Sequence, residues 1–146
     1  MDINALINVL GECEFANNKI YINSDNIRQA LTYLKENFSY NLLKSITAVD
    51  SGDYIELNYD LLSVINEESV VIAIKVKYEA QSITDIFASA QADENEIYDM
   101  FGVMFIGNED LKRLYMPENW DGYPLRKDYI QDDTRLAWND IDDYNA

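Results

Sequence analysis

Three carboxylates, Glu94, Glu96 and Asp99, fall within the stretch DENEIYDMFGVMF at 93–105. Acids this close together can divide general acid and general base work, or hold a divalent cation. The same stretch has a structural use. Asp93 can cap a helix with Glu96 at its third position, a carboxylate version of the capping box, and Glu94 then sits well in the first turn. A third use is contact, in which the acids hold cations from elsewhere by charge-assisted hydrogen bonds. The capping reading accounts for Asp93, Glu94 and Glu96 without catalysis, and no second ligand set accompanies them.

Other chemistry has few residues to work with. The chain has no histidine, which removes the commonest general base, the Ser-His and Cys-His nucleophile pairs and every histidine-ligated metal site. Cys13 is the only cysteine, so a four-cysteine zinc or iron–sulfur site is excluded, as is an internal disulfide. The glycines at 11, 52, 102, 107 and 122 never take GxGxxG or GxxxxGK spacing.

A second constellation is LKRLYMPENWDGYPLRKDY at 111–129. It carries the charge pairs Lys112-Arg113 and Arg126-Lys127, which a solvated loop also carries. Pro124 fixes its own backbone and disfavours helix at Tyr123. The combination suits a preorganised strap that presents Arg126 as a bidentate donor to a carboxylate. Fourteen acids between Asp93 and Asp143 argue against RNA as the partner of these cations. In the acidic end, 132–145, Asp140, Asp142 and Asp143 lack the turn glycine and the terminal glutamate of a calcium loop, so a solvated end is expected.

The 146 residues suit one domain, and 48% hydrophobic content supports a folded core. A formal charge of −16 argues against nucleic acid and anionic lipid as partners. Single-cysteine usage fits a reducing cytosol. The start, MDINALINVLGE, lacks the positive leader and continuous apolar stretch of a signal peptide, and no apolar run is long enough to span a bilayer.

Periodicity locates the elements that position these residues. Ile3, Leu6, Ile7 and Leu10 predict a short helix stopped by Gly11. KIYI at 19–22 reads as a strand, and Ser24 as the cap of a helix reaching residue 38. Leu42–Val49 is a strand candidate, followed by a turn at 50–53. YIELNYDL at 54–61 and VVIAIKVKY at 70–78 alternate as an antiparallel pair. The second is apolar on both faces in its first half, which predicts a central position. A helical pattern runs from Ile83, breaks near 91–93 and restarts with Ile97, Met100, Phe101 and Met104. The expected fold is α+β, a mixed or antiparallel sheet packed with about three helices. It divides into a body at 1–107 and an extended C-terminal interaction segment at 108–146. That segment holds Leu111, Leu114, Tyr115, Met116, Trp120, Tyr123, Leu125, Tyr129, Leu136 and Trp138, and is too apolar to stay solvated.

The order E-x-E-x-Y-D-M-F-G-V-x-F-x-G-x-x-D-L-K-R at 94–113, then G-x-P-L-R-K-D-Y at 122–129, resembles the 30-kDa subunit family of respiratory complex I. Its members are the C subunit of bacterial NADH-quinone oxidoreductase and the J subunit of the cyanobacterial and chloroplast complex, and MPENWDGYPLRKDY is especially similar to the latter. Three positions depart: Asn95 replaces a usual arginine, Asn108-Glu109 a usual histidine-proline, and Tyr123 a frequent histidine. Related subunits occur in energy-converting nickel–iron hydrogenases and in the coenzyme F420-linked enzyme.

The resemblance implies a subunit with no cofactor and no redox step of its own, peripheral to the membrane on the cytoplasmic side. FMN, iron–sulfur clusters and quinone then belong to partner subunits. It implies bracing of the large, 49-kDa-type quinone-site subunit and contact with neighbouring iron–sulfur subunits. Glu94, Glu96, Tyr98, Asp99, Phe101 and Gly102 are expected to set the geometry where the last helix meets the tail. Arg113, Pro124, Leu125, Arg126, Lys127 and Asp128 are expected to carry the partner contact. Residue chemistry by itself leaves two rivals, a free-standing acidic binding module or inhibitor and a small enzyme using carboxylates alone.

Overall fold

The computed structural model describes residues 2–130; the acidic end at 132–145, with Leu136 and Trp138, lies outside the described residues. Helix α1 spans Ile3–Leu10, with Asp2 accepting from the Asn4 amide at 2.9 Å and Gly11 closing it at φ 86°. Strands β1 (Cys13–Ala16) and β2 (Lys19–Ile22) form a hairpin. Its turn is Asn17-Asn18, both at positive φ, where asparagine is among the few side chains that fit. A 3₁₀ turn at Ser24–Asn26 leads into α2 (Ile27–Phe38), so Ser24 lies in that turn, and Asn23 supplies the side-chain cap ahead of it. Then come β3 (Leu42–Asp50), β4 (Ile55–Ser63), β5 (Glu68–Val76), β6 (Glu79–Gln81), α3 (Ala90–Phe101) and β7 (Met104–Ile106).

The main sheet is ordered β1-β2-β5-β4-β3, with β2 parallel to β5 and every other pair antiparallel. Strand β5 is central, as its doubly apolar first half predicts. β6 and β7 make a separate parallel pair. Ile55, Leu57, Tyr59 and Leu61 of β4 and Ile72, Ile74 and Val76 of β5 share one face and one core with Leu6, Ile27, Leu31, Leu34 and Ile97 from the three helices. Full burial of each such aliphatic side chain contributes about 1.5–3 kcal/mol, which fixes the register of the long strands.

Four local readings change. The hairpin strand β1 is new: CEFA shows no alternation, and its partner β2 selects it. Residues 83–89 form turns, not a helix, and their apolar side chains Ile83 and Phe87 reach the core from those turns. Helix α3 then runs unbroken from Ala90, so Asp93 lies within its first turn and does not cap it. Asp93 instead accepts from the Ile46 amide at 3.0 Å and guards the outer edge of β3, a tertiary partner that outcompetes the local capping box. Met104 has left the helix for β7, because Gly102 ends α3 in the left-handed conformation at φ 73°.

Candidate functional site

Helix α3 turns one polar row inward. Glu94, Asn95 and Asp99 are buried, Glu94 and Asp99 completely. Each grips a different piece of neighbouring chain.

Glu94 accepts from the Ser82 hydroxyl, the Ile83 amide and the Asn108 side-chain amide, each at 2.8 Å. Desolvation pushes its carboxyl above the ordinary value, and those three donors offset part of the rise. Asn95 Oδ1 accepts from the Lys112 amide at 3.1 Å and from Gln91 at 3.3 Å. Asp99 Oδ2 accepts from three successive amides, Leu114, Tyr115 and Met116, at 3.1, 2.7 and 3.1 Å. Its other oxygen takes the Arg113 guanidinium at 3.2 Å. Gln91, Asn95 and Asp99 follow one another at a spacing of four, so one stripe of the helix holds residues 108–116 against the body.

Arg113 joins the two halves of the strap. Its side chain is 8% exposed, and its second terminal nitrogen donates to the Trp120 and Gly122 carbonyls at 3.2 and 3.0 Å. The guanidinium carbon lies 4.9 Å from the centre of the Tyr123 ring. That ring also explains Gly102: a Cβ there would come within 2.6 Å of it. Tyr98, half-buried, meets Tyr123 at 6.3 Å between ring centres.

The end of α3 receives the second half of the strap. The Leu125 amide donates to the Met100 carbonyl and Arg126 Nη1 to the Phe101 carbonyl, both at 3.0 Å. These are carbonyls of the last helical turn, where the helix itself supplies no donors and a cation is favoured. Arg126 also lies 5.3 Å from the Tyr78 ring centre and 3.6 Å from Asp128. The Lys127 amide donates to Asp50 Oδ2 at 2.8 Å, and the Gly52 amide to its Oδ1. Those two backbone donors hold the Asp50 carboxyl below the usual carboxylate range. A cleft of about 510 Å³ opens between strap and sheet, lined in part by Asp53, Tyr54, Lys77, Arg126 and Lys127.

The structure thus brings Glu94, Tyr98, Asp99, Phe101, Gly102, Arg113, Pro124 and Arg126 into one unit. Glu96 faces outward, and Leu125, Lys127 and Asp128 expose their side chains. Glu94 and Asp99 each accept at least three hydrogen bonds from the same chain, so they fix its conformation. Sequence reasoning passed over Asn95 and Asn108 as grips, noting them only as departures. It also missed Gln91, Ser82 and Asp50. The spacing of four through Gln91, Asn95 and Asp99 was the one readable signal.

Comparison with known proteins points to one family. The family profile described as respiratory-chain NADH dehydrogenase, 30 Kd subunit, matches residues 20–135. The NADH-quinone oxidoreductase C subunit of Moorella thermoacetica is 35% identical over 115 residues, 75% of this chain and 78% of that protein. The NADH-quinone oxidoreductase C/D subunit of Phocaeicola vulgatus is 33% identical over 116 residues, 76% of this chain but 22% of that much longer protein. A solved structure of the membrane-bound sulfane sulfur reductase, an archaeal respiratory membrane complex, contains a similar chain. It superposes with TM-score 0.69 at 26% identity over 99% of this chain and 89% of that one. Among the described residues no helix is long and apolar enough to cross a membrane. With the motif, its folded geometry and the relatives in agreement, the chain belongs to the 30-kDa subunit family of respiratory-chain NADH dehydrogenase.

Proposed function

We propose that this chain is a non-catalytic structural subunit in the hydrophilic arm of a proton-pumping NADH- or ferredoxin-fed quinone oxidoreductase. It braces the large quinone-site subunit and lies peripheral to the membrane, on its cytoplasmic side. FMN, iron–sulfur clusters and quinone are held by its partners. The observation that carries this reading is the helix–strap unit, whose two inner carboxylates and two arginines are engaged in shaping a surface. The relative in which the C and D subunits form one polypeptide supports the large subunit as the neighbour.

The likeness to the sulfane sulfur reductase supports a second reading, the equivalent subunit of a membrane-bound energy-converting complex fed by another donor, of the hydrogenase or coenzyme-linked dehydrogenase kind. Both readings share the structural role and differ in the chemistry of other subunits.

The test uses an affinity-tagged full-length chain in its own cells. The tagged wild type is expected to bring down the large subunit. Arg126→Ala, which removes the helix-end contact but no core residue, should stay folded and bring down several-fold less. Unchanged recovery and unchanged enzyme activity would sink the role given to the strap.

A further inference from the structure

Of the five glycines in the chain, only Gly122 follows an aspartate or an asparagine. An aspartyl peptide bond rearranges most readily where the next residue leaves its amide free to reach the side-chain carboxyl, and glycine, with no Cβ, leaves the most room. Asp121 is exposed and Gly122 takes φ 97°. Among the described residues neither the Asp121 carboxylate nor the Gly122 amide finds a hydrogen-bond partner, so both reacting groups are untied. Comparable positions are held. Asp50, followed by Ser51, accepts from the Gly52 and Lys127 amides, each at 2.8 Å. Asn23, followed by Ser24, accepts from the Asp25 amide at 3.0 Å.

What is tied is the backbone on either side of Asp121. The Trp120 and Gly122 carbonyls accept from the same Arg113 nitrogen at 3.2 and 3.0 Å, which sets the length of chain between them. Downstream lie Tyr123, packed against Gly102 and Arg113, and the Leu125 amide that donates to Met100. Upstream, the amides of Leu114, Tyr115 and Met116 stay on Asp99.

We propose that Asp121 is a site of isoaspartate formation, and that the change releases the second half of the strap from Arg113. The Gly122 nitrogen attacks Cγ of the Asp121 carboxyl. The N–Cγ bond forms, a Cγ–OH bond breaks, and the hydroxyl leaves with the amide proton as water. Water then opens the resulting five-membered imide at the carbonyl beside Cα, breaking the original peptide bond and leaving a carboxylate on Cα. No atom is gained or lost overall, and no oxidant or reductant takes part. The main chain now runs through Cβ and Cγ and is one bond, about 1.5 Å, longer. Inserted between the Trp120 and Gly122 carbonyls, that length parts two acceptors that share one nitrogen. The strap thereby carries a slow chemical change of its own, whichever complex holds it.

The experiment incubates the full-length chain at neutral pH beside a synthetic peptide of residues 114–126, the segment that trypsin releases around the site. Electron-transfer fragmentation distinguishes isoaspartate from aspartate at equal mass, and methyl transfer by an isoaspartyl methyltransferase counts it. The folded chain is expected to form isoaspartate at 121 within about tenfold of the peptide's rate, since a backbone without hydrogen bonds needs little opening to react. The isoaspartyl form, separated chromatographically, should lose amide-exchange protection about tenfold or more at Leu125 and Arg126, and keep it at Leu114, Tyr115 and Met116. Asp121→Glu, whose longer side chain would need a six-membered imide, should form none there and keep its protection through the same incubation. A slower rate in the folded chain, or isoaspartate gathering first at another position, would overturn the site. Unchanged protection at Leu125 and Arg126 in the isoaspartyl form would overturn its effect on the strap.

Discussion

Asp99→Asn tests the central grip of the site. The substitution keeps shape and volume but removes the charge and one acceptor oxygen. In the wild type that carboxylate is fully buried and satisfies three strap amides and Arg113. The asparagine oxygen can retain part of the amide set, but its NH₂ then faces either the guanidinium or the remaining N–H groups. Breaking a buried ion pair from one side costs about 3–5 kcal/mol, because the surviving charge is left without its partner. Water can reach the strap once it lifts, so the lower end, about 3 kcal/mol, applies. For a domain of this size that lowers Tm by roughly 10 °C. The more telling assay is amide hydrogen exchange. Leu114, Tyr115 and Met116 should lose most of their protection, while the β4 and β5 amides keep theirs. The double variant Asp99→Asn/Arg113→Met should lose less than the sum of the two single losses, because both remove the same ion pair. Wild-type exchange at residues 114–116 in Asp99→Asn, or strictly additive losses in the cycle, would refute the grip.

Two further perturbations read other parts of the same unit. Gly102→Ala adds a Cβ into the Tyr123 ring at a left-handed φ; it should cost about 1–3 kcal/mol, and a Tyr123→Ala background should relieve the steric part but not the backbone part. Glu94 has a raised carboxyl, so the folded state holds its proton more tightly than the unfolded chain does. Its contribution to stability is therefore fully present below the ordinary value near 4.5 and is lost as pH rises through the raised one. The gap in Tm between wild type and Glu94→Gln should change across that window in the variant's favour with rising pH, and parallel Tm curves would exclude the effect.

The α+β class, three helices and the long strands were legible because their apolar periods are strong and local. The central place of β5 was legible too, since Val70, Val71, Ile72 and Ala73 leave it no polar face. What failed was set by distant partners. β1 is a strand because Ile20 and Tyr21 pair with it, and the parallel contact of β2 with β5 joins residues far apart in sequence. Asp93 had a sound local role as a cap, but the Ile46 amide needed an acceptor and took it. At the site, local spacing favoured capping over contact for the 93–105 acids, and the structure gives Asp99 the contact role instead. Nor does a sequence tell which way an arginine points. Arg126 turns inward because Pro124 and the Leu125–Met100 hydrogen bond bring it over the last carbonyls of α3.

The three positions that depart from the pattern in the sequence each find a partner in this fold. Asn95 lacks the charge of the usual arginine, yet its amide oxygen holds the Lys112 amide and so fixes the start of the strap. Asn108 reaches the buried Glu94 with a neutral donor. Tyr123 fills the space that Gly102 leaves and stacks under Arg113. Asn95, Asn108 and Tyr123 thus each have a geometric task in this chain. A strap already held by its own domain loses little conformational entropy on docking, which would otherwise cost about 1–2 kcal/mol per residue ordered. A buried pair such as Asp99–Arg113 adds little net stability over an apolar substitute, so its value here lies in specifying one position for the strap. The motif residues of this chain therefore act through shape, holding the strap in one position.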